Sequence, residues 1–223
     1  EGSDSLEVAA SEGATVNDPY YDMQWGLQSM NVPEAWENGA KCEQKIGVAV
    51  LDSGFVVDHE DLRGVIPDGA PYNSYYASKG NTDPNVLADV APTFDEGNPS
   101  LASPEHGMHV AGIIAAQANN GIGTAGVSYN AQLIPIRVFN YGANGNYGAT
   151  SASLQKAFDY VIEKQDTYNI RVLNMSIGSK VNELRANDVV LKKMDEVYAK
   201  GIVVVCSGGN GTGTAIPPFI NYP

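Results

Sequence analysis

Residues 46–54, IGVAVLDSG, form a near-continuous apolar run that ends in an aspartate, a serine and a glycine. An uninterrupted apolar run of this length is typical of a strand buried on both faces of a sheet, and the residues after it are typical of a turn. We therefore expect Asp52 at the carboxyl end of a buried strand.

Three further apolar runs predict strands at Leu133–Phe139, Ile170–Met175 and Ile202–Cys206. Segments with helical spacing separate these runs. Strands that alternate with helices predict an α/β fold, in which a parallel sheet carries helices on both faces in three α/β/α layers. Polar residues that follow such strands are expected to meet at the carboxyl edge of the sheet.

The predicted helices have recognisable ends. A short helix is expected over Pro33 to Asn38, with proline in its first turn, and a helix of small residues over 106–117. Another begins behind Thr150 and Ser151, and a last one ends at Lys200-Gly201. The apolar faces of these last two helices are predicted at Leu154, Ala157, Phe158, Val161 and Ile162, and at Val190, Met194, Val197 and Tyr198.

Two segments are expected to lie outside the core. Residues 1–17 are acidic, small and aperiodic, and we interpret them as an N-terminal arm or a propeptide remnant. Residues 67–104 are rich in Pro, Gly, Asn and Asp, and are predicted to be a surface loop. Residues 18–223 would then form one domain.

The composition argues against two classes of function, nucleic-acid binding and spanning a membrane. The 223 residues carry a net charge of −13, which argues against nucleic acid as a partner because nucleic acid requires a basic surface. No apolar run approaches the length that spans a bilayer, so no membrane span is expected. Two cysteines cannot form a disulfide framework; Cys206 is expected to be a buried thiol, and a single bridge to Cys42 is a weaker alternative.

Three motifs in order carry the chemistry: VAVLDSG at 48–54, HGMHVAG at 106–112 and VVVCSGGN at 203–210. An aspartate held at a strand end can orient the imidazole of a histidine that begins a helix. An asparagine amide after a glycine turn can donate to a developing oxyanion.

Together these motifs resemble the Asp, His and Asn motifs of the subtilase family of serine proteases. The resemblance extends to NDPYY at 17–21, QWGL at 24–27, DHEDL at 58–62 and VLNMSIG at 172–178, and the first two are similar to thermitase-like members. It implies a secreted or cell-surface serine endopeptidase in which Asp52 orients the imidazole, His106 is the general base and Asn210 stabilises the oxyanion.

The spacing of the histidines does not distinguish His106 from His109 as the base; the family pattern favours His106. The pair could also be two zinc ligands, but no third ligand stands at recognisable spacing. His59 and His109 are interpreted as packed, hydrogen-bonded side chains.

The resemblance also implies a peptide-binding strip and a calcium site. Ser176, Ile177 and Gly178 would hydrogen-bond the substrate as an added strand, with residues near Gly145 to Gly148 on its other side. The loop over 119–124 is similar to the family's calcium loop. The implied ligands are side chains of Asp18, Asp61 and Asn120, with carbonyls of Gln117, Ile122 and Thr124.

No Gly-Thr-Ser segment, which carries the nucleophile in this family, occurs in the sequence. We expect the C-terminal part of the domain, with that serine, to lie in a complementary segment outside this chain, and these 223 residues alone to be inactive. The alternative is a non-catalytic subtilase-fold module that binds peptides, although such a module would not need a general base.

Overall fold

The computed structural model describes residues 16–40, 45–92, 105–141, 147–178 and 189–208. Short 3-10 turns lie at Tyr21–Met23 and Glu60–Leu62. The helices are α1 (Trp25–Ser29), α2 (Val32–Glu37), α3 (Ser74–Ser78), α4 (Pro84–Ala88), α5 (His106–Ala115), α6 (Ser151–Lys164) and α7 (Val189–Ala199). The strands are β1 (Gly47–Asp52), β2 (Tyr72–Asn73), β3 (Gln132–Arg137), β4 (Phe139–Tyr141), β5 (Tyr147–Ala149), β6 (Ile170–Met175) and β7 (Val203–Cys206).

Five of these strands form one parallel sheet in the order β2-β3-β1-β6-β7. Every residue of the central strand β1 is buried, as the apolar run over 46–51 predicts. The remaining two strands, β4 and β5, form a small antiparallel hairpin. Asp52 stands at the carboxyl end of β1, between the ends of β3 and β6.

Helices cover both faces of the sheet, which confirms the predicted three-layer α/β/α architecture. On one face Ala49 and Leu51 of β1 pack with apolar residues of α6 and α7. On the other face Val48 and Val50 pack with Ala111 and Ala115 of α5. The alternation of side chains along β1 therefore assigns Asp52 to the face that carries α5.

The prediction that residues 67–104 form only a surface loop is wrong for the part that the structure describes. This segment contains strand β2 and helices α3 and α4. Asn73 and Ser74 are fully buried, and Asn73 caps α3 by accepting a hydrogen bond from the Tyr76 N–H at 3.2 Å. These short elements are held by buried polar residues, so the sequence shows no apolar pattern from which they could have been predicted.

Several predicted bounds and burials also need correction. The strand predicted over Leu133–Phe139 is interrupted at Val138, whose N–H donates to Asp52 O at 3.0 Å. Helix α5 ends at Ala115 rather than at residue 117. Tyr198 is 72% exposed, so it does not belong to the buried face of α7. Cys206 is exposed, because β7 lies at an edge of the sheet, although its surroundings still desolvate the thiol and raise its pKa.

Helix α5 approaches β1 closely at Gly107. A Cβ atom added there would collide with the Gly54 carbonyl oxygen and lie 3.1 Å from Asp52 Cβ. A Cβ atom added at Gly112, one and a half turns later, meets nothing within 4 Å. The absence of a side chain at Gly107 thus lets α5 rest against the end of β1.

These two glycines provide a matched pair of substitutions. Gly107→Ala should lower the free energy of unfolding by about 1–3 kcal/mol, because the new methyl group overpacks the contact with β1. Gly112→Ala should be neutral or raise the free energy of unfolding by up to about 1 kcal/mol, because alanine favours the helix. Denaturant unfolding of the full-length gene product measures both, and equal effects would contradict the close packing at Gly107.

Candidate active site

His106 and Asp52 form a hydrogen-bonded pair at the carboxyl edge of the sheet. His106 Nδ1 lies 2.8 Å from Asp52 Oδ1. Because a carboxylate only accepts hydrogen bonds, Nδ1 carries a proton, and in the neutral ring Nε2 is then the acceptor. The Asp52 side chain is 1% exposed and that of His106 is 44% exposed. The carboxylate therefore fixes the ring from inside the protein, while the ring remains open to solvent.

The turn after β1 holds Asp52 in place. The Ser53 N–H donates to Asp52 Oδ1 at 2.6 Å, and the Gly107 N–H donates to Ser53 Oγ at 3.0 Å. Ser53 thus links the end of β1 to the first turn of α5. Asp52 Oδ2 is also buried, and it accepts no hydrogen bond from the described residues.

The other two histidines lie elsewhere, and neither is packed as predicted. His109, one turn along α5 from His106, is exposed, and so is His59. His59 Nδ1 accepts a hydrogen bond from the Asp61 N–H at 3.2 Å and caps the 3-10 turn over Glu60–Leu62. No cluster of three or more His, Cys, Asp or Glu side chains that could hold a metal exists among the described residues, so the zinc alternative has no support there.

Tyr147 is a site residue that the sequence did not reveal. Its hydroxyl donates to Ser53 O at 3.0 Å and so ties the β4–β5 hairpin to the turn after Asp52. The ring stacks on Phe139, with 5.7 Å between centroids. Burial raises the pKa of Tyr147 to about 12, which keeps the hydroxyl a donor at any ordinary pH. An aromatic residue within a Gly- and Asn-rich segment was the only available signal.

The residues expected to bind peptide lie around this edge as far as they are described. Ser176, Ile177 and Gly178 follow the end of β6 directly, next to β1 in the sheet. Gly148 lies in β5, and open space surrounds the position of an added Cβ at both Gly148 and Gly178. Gly145 and Asn210 lie outside the described residues, so their predicted roles stay predictions, as does the Cys42 alternative.

The loop over 119–124 encloses two buried carboxylates. Asp18 accepts hydrogen bonds from the Asn119 and Asn120 N–H groups at 2.8 and 3.1 Å. Asp61 accepts from the Thr124 N–H and from Asn120 Nδ2, both at 2.9 Å. Both aspartates are 4% exposed, and neither takes part in an ion pair found among the described residues. Within the described ranges, N–H dipoles are therefore the only groups seen to compensate these two buried carboxylates.

The remaining residues of the expected calcium set lie at the same loop. Gln117 precedes it and Ile122 lies within it, and the Ile122 N–H donates to Asn120 Oδ1 at 2.7 Å. The Gln117 N–H donates to Asp61 O at 3.0 Å. Carboxylate, amide and carbonyl oxygens are the donors that calcium prefers, so the chemistry of the set fits that ion.

An apolar cleft of about 790 Å³ lies between α1 and the outward face of α5. Trp25 of α1 and Met30, which directly follows α1, line one side of it, and Met108 and Ile113 of α5 line the other. Trp25 is 76% exposed and Ile113 is 49% exposed. The described residues therefore do not cover the large apolar side chains that line this cleft.

Two glycines in the loop allow the packing around Asp61 to be tested. Gly121 and Gly123 both have positive φ, of 72° and 54°, so alanine at either position should cost about 1–2 kcal/mol in backbone strain. Only at Gly123 would the new Cβ also collide with Asp61 Oδ2. Gly123→Ala should therefore lower the free energy of unfolding by about 1–3 kcal/mol more than Gly121→Ala. Chemical denaturation of both variants measures the difference, and equal losses would mean that Asp61 does not fill this space.

Comparisons with known proteins identify the family of this chain. The model of the subtilase family matches residues 43–221. The chain is 33% identical over 214 residues to an extracellular basic protease of Dichelobacter nodosus, covering 88% of this chain and 34% of that protein. It is 29% identical to thermitase of Thermoactinomyces vulgaris, covering 94% of this chain and 61% of thermitase.

Solved structures give the same result. A protease from Pseudoalteromonas arctica superposes with a TM-score of 0.68 at 28% identity, over 88% of this chain and 60% of that protein. The chain therefore spans between about a third and three fifths of the length of these relatives. The family match over 43–221, on a fold that brings Asp52 and His106 together, shows that this chain belongs to the subtilase family.

Proposed function

We propose that this chain is the amino-terminal portion of the catalytic domain of a serine endopeptidase. The single observation that carries the proposal is the 2.8 Å hydrogen bond between a buried aspartate and a half-exposed histidine. This arrangement fixes the tautomer of the imidazole and leaves Nε2 as a base, and the Asp52 carboxylate stabilises the imidazolium once it forms. A module that only bound peptides would have no use for it.

In the proposed reaction His106 removes the proton from a serine hydroxyl as that oxygen attacks the scissile carbonyl. The same imidazolium then returns the proton to the leaving amine. The serine would come from a segment outside these 223 residues, and Asn210 would donate to the oxyanion. The backbone of Ser176 to Gly178 would pair with the substrate, with the Gly145–Gly148 segment on the other side of the peptide.

Exposed apolar surface supports a complementary C-terminal segment. Val203 and Val205 on edge strand β7 are 58% and 44% exposed, and the apolar cleft on α5 is also open. Large apolar side chains exposed in this way often mark a surface that meets another part of a protein. The relatives, which are longer than this chain, are consistent with such a segment. Without the complementary segment, we expect the 223 residues to be inactive as a protease.

We also propose that the protein is secreted or lies at the cell surface, since the similar protease of Dichelobacter nodosus is named as extracellular. None of the helices in the described ranges is both long and apolar enough to cross a membrane.

The catalytic role of His106 is testable in the full-length gene product. His106→Ala should lower kcat on a chromogenic peptide by about 10⁶-fold, the scale known for loss of the histidine in the related enzyme subtilisin. His109→Ala is the matched control, because His109 lies on the same helix and is exposed; it should stay within about threefold of the wild type. Labelling of the nucleophile by a fluorophosphonate should fall in parallel for His106→Ala. Full activity of that variant, or failure of the wild-type protein to label, would rule the proposal out.

We further propose that the loop over 119–124 binds a structural calcium ion. The ligands would be the side chains of Asp18, Asp61 and Asn120, with the carbonyls of Gln117, Ile122 and Thr124. A bound divalent cation would neutralise the two buried carboxylates, which lack any cationic partner among the described residues. Its contribution would be to stability.

Thermal unfolding with calcium and with a chelator tests this proposal. In the wild-type protein, calcium at about 100 times its Kd should stabilise the fold by about 2.7 kcal/mol and raise the Tm by several degrees. Asp61→Asn should abolish the increase in Tm that calcium causes. Asp22→Asn is the control, because Asp22 is exposed in the same amino-terminal segment, and it should keep the full shift. An identical Tm with calcium and with chelator would contradict a calcium site.

A further inference from the structure

Arg137 is a buried cation beside the candidate site. It is the last residue of β3 and is only 2% exposed. In the parallel pairing of β1 and β3, Arg137 stands directly opposite Asp52. Opposite residues in a parallel pair point to the same face of the sheet, so both side chains lie on the face that carries α5.

Backbone carbonyls hold the guanidinium. Arg137 Nη1 donates to Ala91 O at 2.7 Å, and Nε donates to Phe139 O at 3.1 Å. Ala91 continues into Pro92, which lies so close over Gly54 that a Cβ atom added to Gly54 would be 2.7 Å from Pro92 Cα. Arg137 therefore fastens the 91–92 segment onto the turn that follows Asp52.

Asp52, which stands opposite Arg137 in the sheet, is a buried carboxylate. Asp52 places both of its hydrogen bonds on Oδ1, and its buried Oδ2 accepts none from the described residues. Burying an ionised carboxylate is costly, and a positive charge nearby lowers that cost. Both charges act on the hydroxyl of Tyr147. Burial raises the pKa of Tyr147, the Arg137 charge lowers it, and the Asp52 charge raises it further.

We propose that Arg137 is a positioning residue for the Asp52–His106 pair, holding the turn after β1 in place and supplying the cation that balances the buried carboxylate. The inference rests on the proposed catalytic role of that pair. If the Arg137 charge were removed, the negative charge of Asp52 would stabilise a protonated imidazole more strongly.

Substituting Arg137 leaves the other charged groups near His106 unchanged. Glu105 and His109 flank it along its own helix, and Glu60 lies on the 3-10 turn packed against α5. Tyr147 is uncharged across the working range, because its pKa is about 12. A change in the titration of His106 on substitution of Arg137 would therefore report the loss of the Arg137 charge.

The experiment compares Arg137→Gln with Arg137→Lys in the full-length protein. In Arg137→Gln, the midpoint of the His106 imidazole titration followed by NMR should move to higher pH by about half a pH unit. The acidic limb of the plot of kcat against pH should move by the same amount. Arg137→Lys keeps the charge and should retain the wild-type midpoint even if its Tm falls. Arg137→Met provides a second neutral side chain if the Gln variant does not fold.

Two outcomes would overturn the inference. One is a neutral variant that is less stable but titrates like the wild type, which would make Arg137 merely structural. The other is a midpoint in Arg137→Lys that moves as far as in Arg137→Gln. Because the NMR titration needs no proteolysis, an inactive protein with the expected shift would refute the proposed protease function alone. An active protein with no shift would refute the role of Arg137 alone.

Discussion

The contact between the first turn of α5 and the carboxyl end of β1 is the constraint on which the candidate site depends. Gly107 has no side chain, so its backbone reaches Ser53 and rests on Gly54, and the next residue back is His106. The imidazole thus reaches Asp52 without a flexible connection. Since β1 is the central strand of the sheet, the carboxylate is held by the most buried part of the molecule.

Two other segments are fastened to this centre by hydrogen bonds to backbone carbonyls. Tyr147 joins the β4–β5 hairpin to Ser53, and Arg137 joins the segment around Ala91 to the end of β3. Such bonds from side chains to carbonyls fix loops at a sheet edge without requiring an apolar core beneath them. The site is therefore tied by hydrogen bonds on the side of β1 and β3.

Much of the fold could be predicted, because long apolar runs specify buried strands. The bounds of β6 agree with the prediction at both ends, and Thr150 caps α6 as its sequence indicates, accepting a hydrogen bond from the Ser153 N–H. The polar segment over 67–92 could not be predicted, since Asn73 and Ser74 are buried through hydrogen bonds rather than through apolar character. Cys206 was misjudged because a sequence does not show which strand lies at the edge of the sheet.

The site was predictable in part. The motifs place an aspartate after a strand and a histidine at a helix start, but His106 and His109 are one turn apart, and only the packing of Gly107 decides which of them meets Asp52. Tyr147 and Arg137 were missed. Arg137 had a visible signal, as the only charged residue in the apolar run over 133–139.

The attachment of the amino-terminal segment has a consequence for the order of assembly. Asn17 and Asp18 bond to loop residues that lie 102 and 101 positions later in the chain, and Trp36 Nε1 donates to Val127 O across 91 positions. Closing loops of this length is entropically costly and cannot begin until the distant residues have been synthesised. The amino-terminal segment should therefore dock late during biosynthesis, after the loop over 119–124 and Val127 have been made.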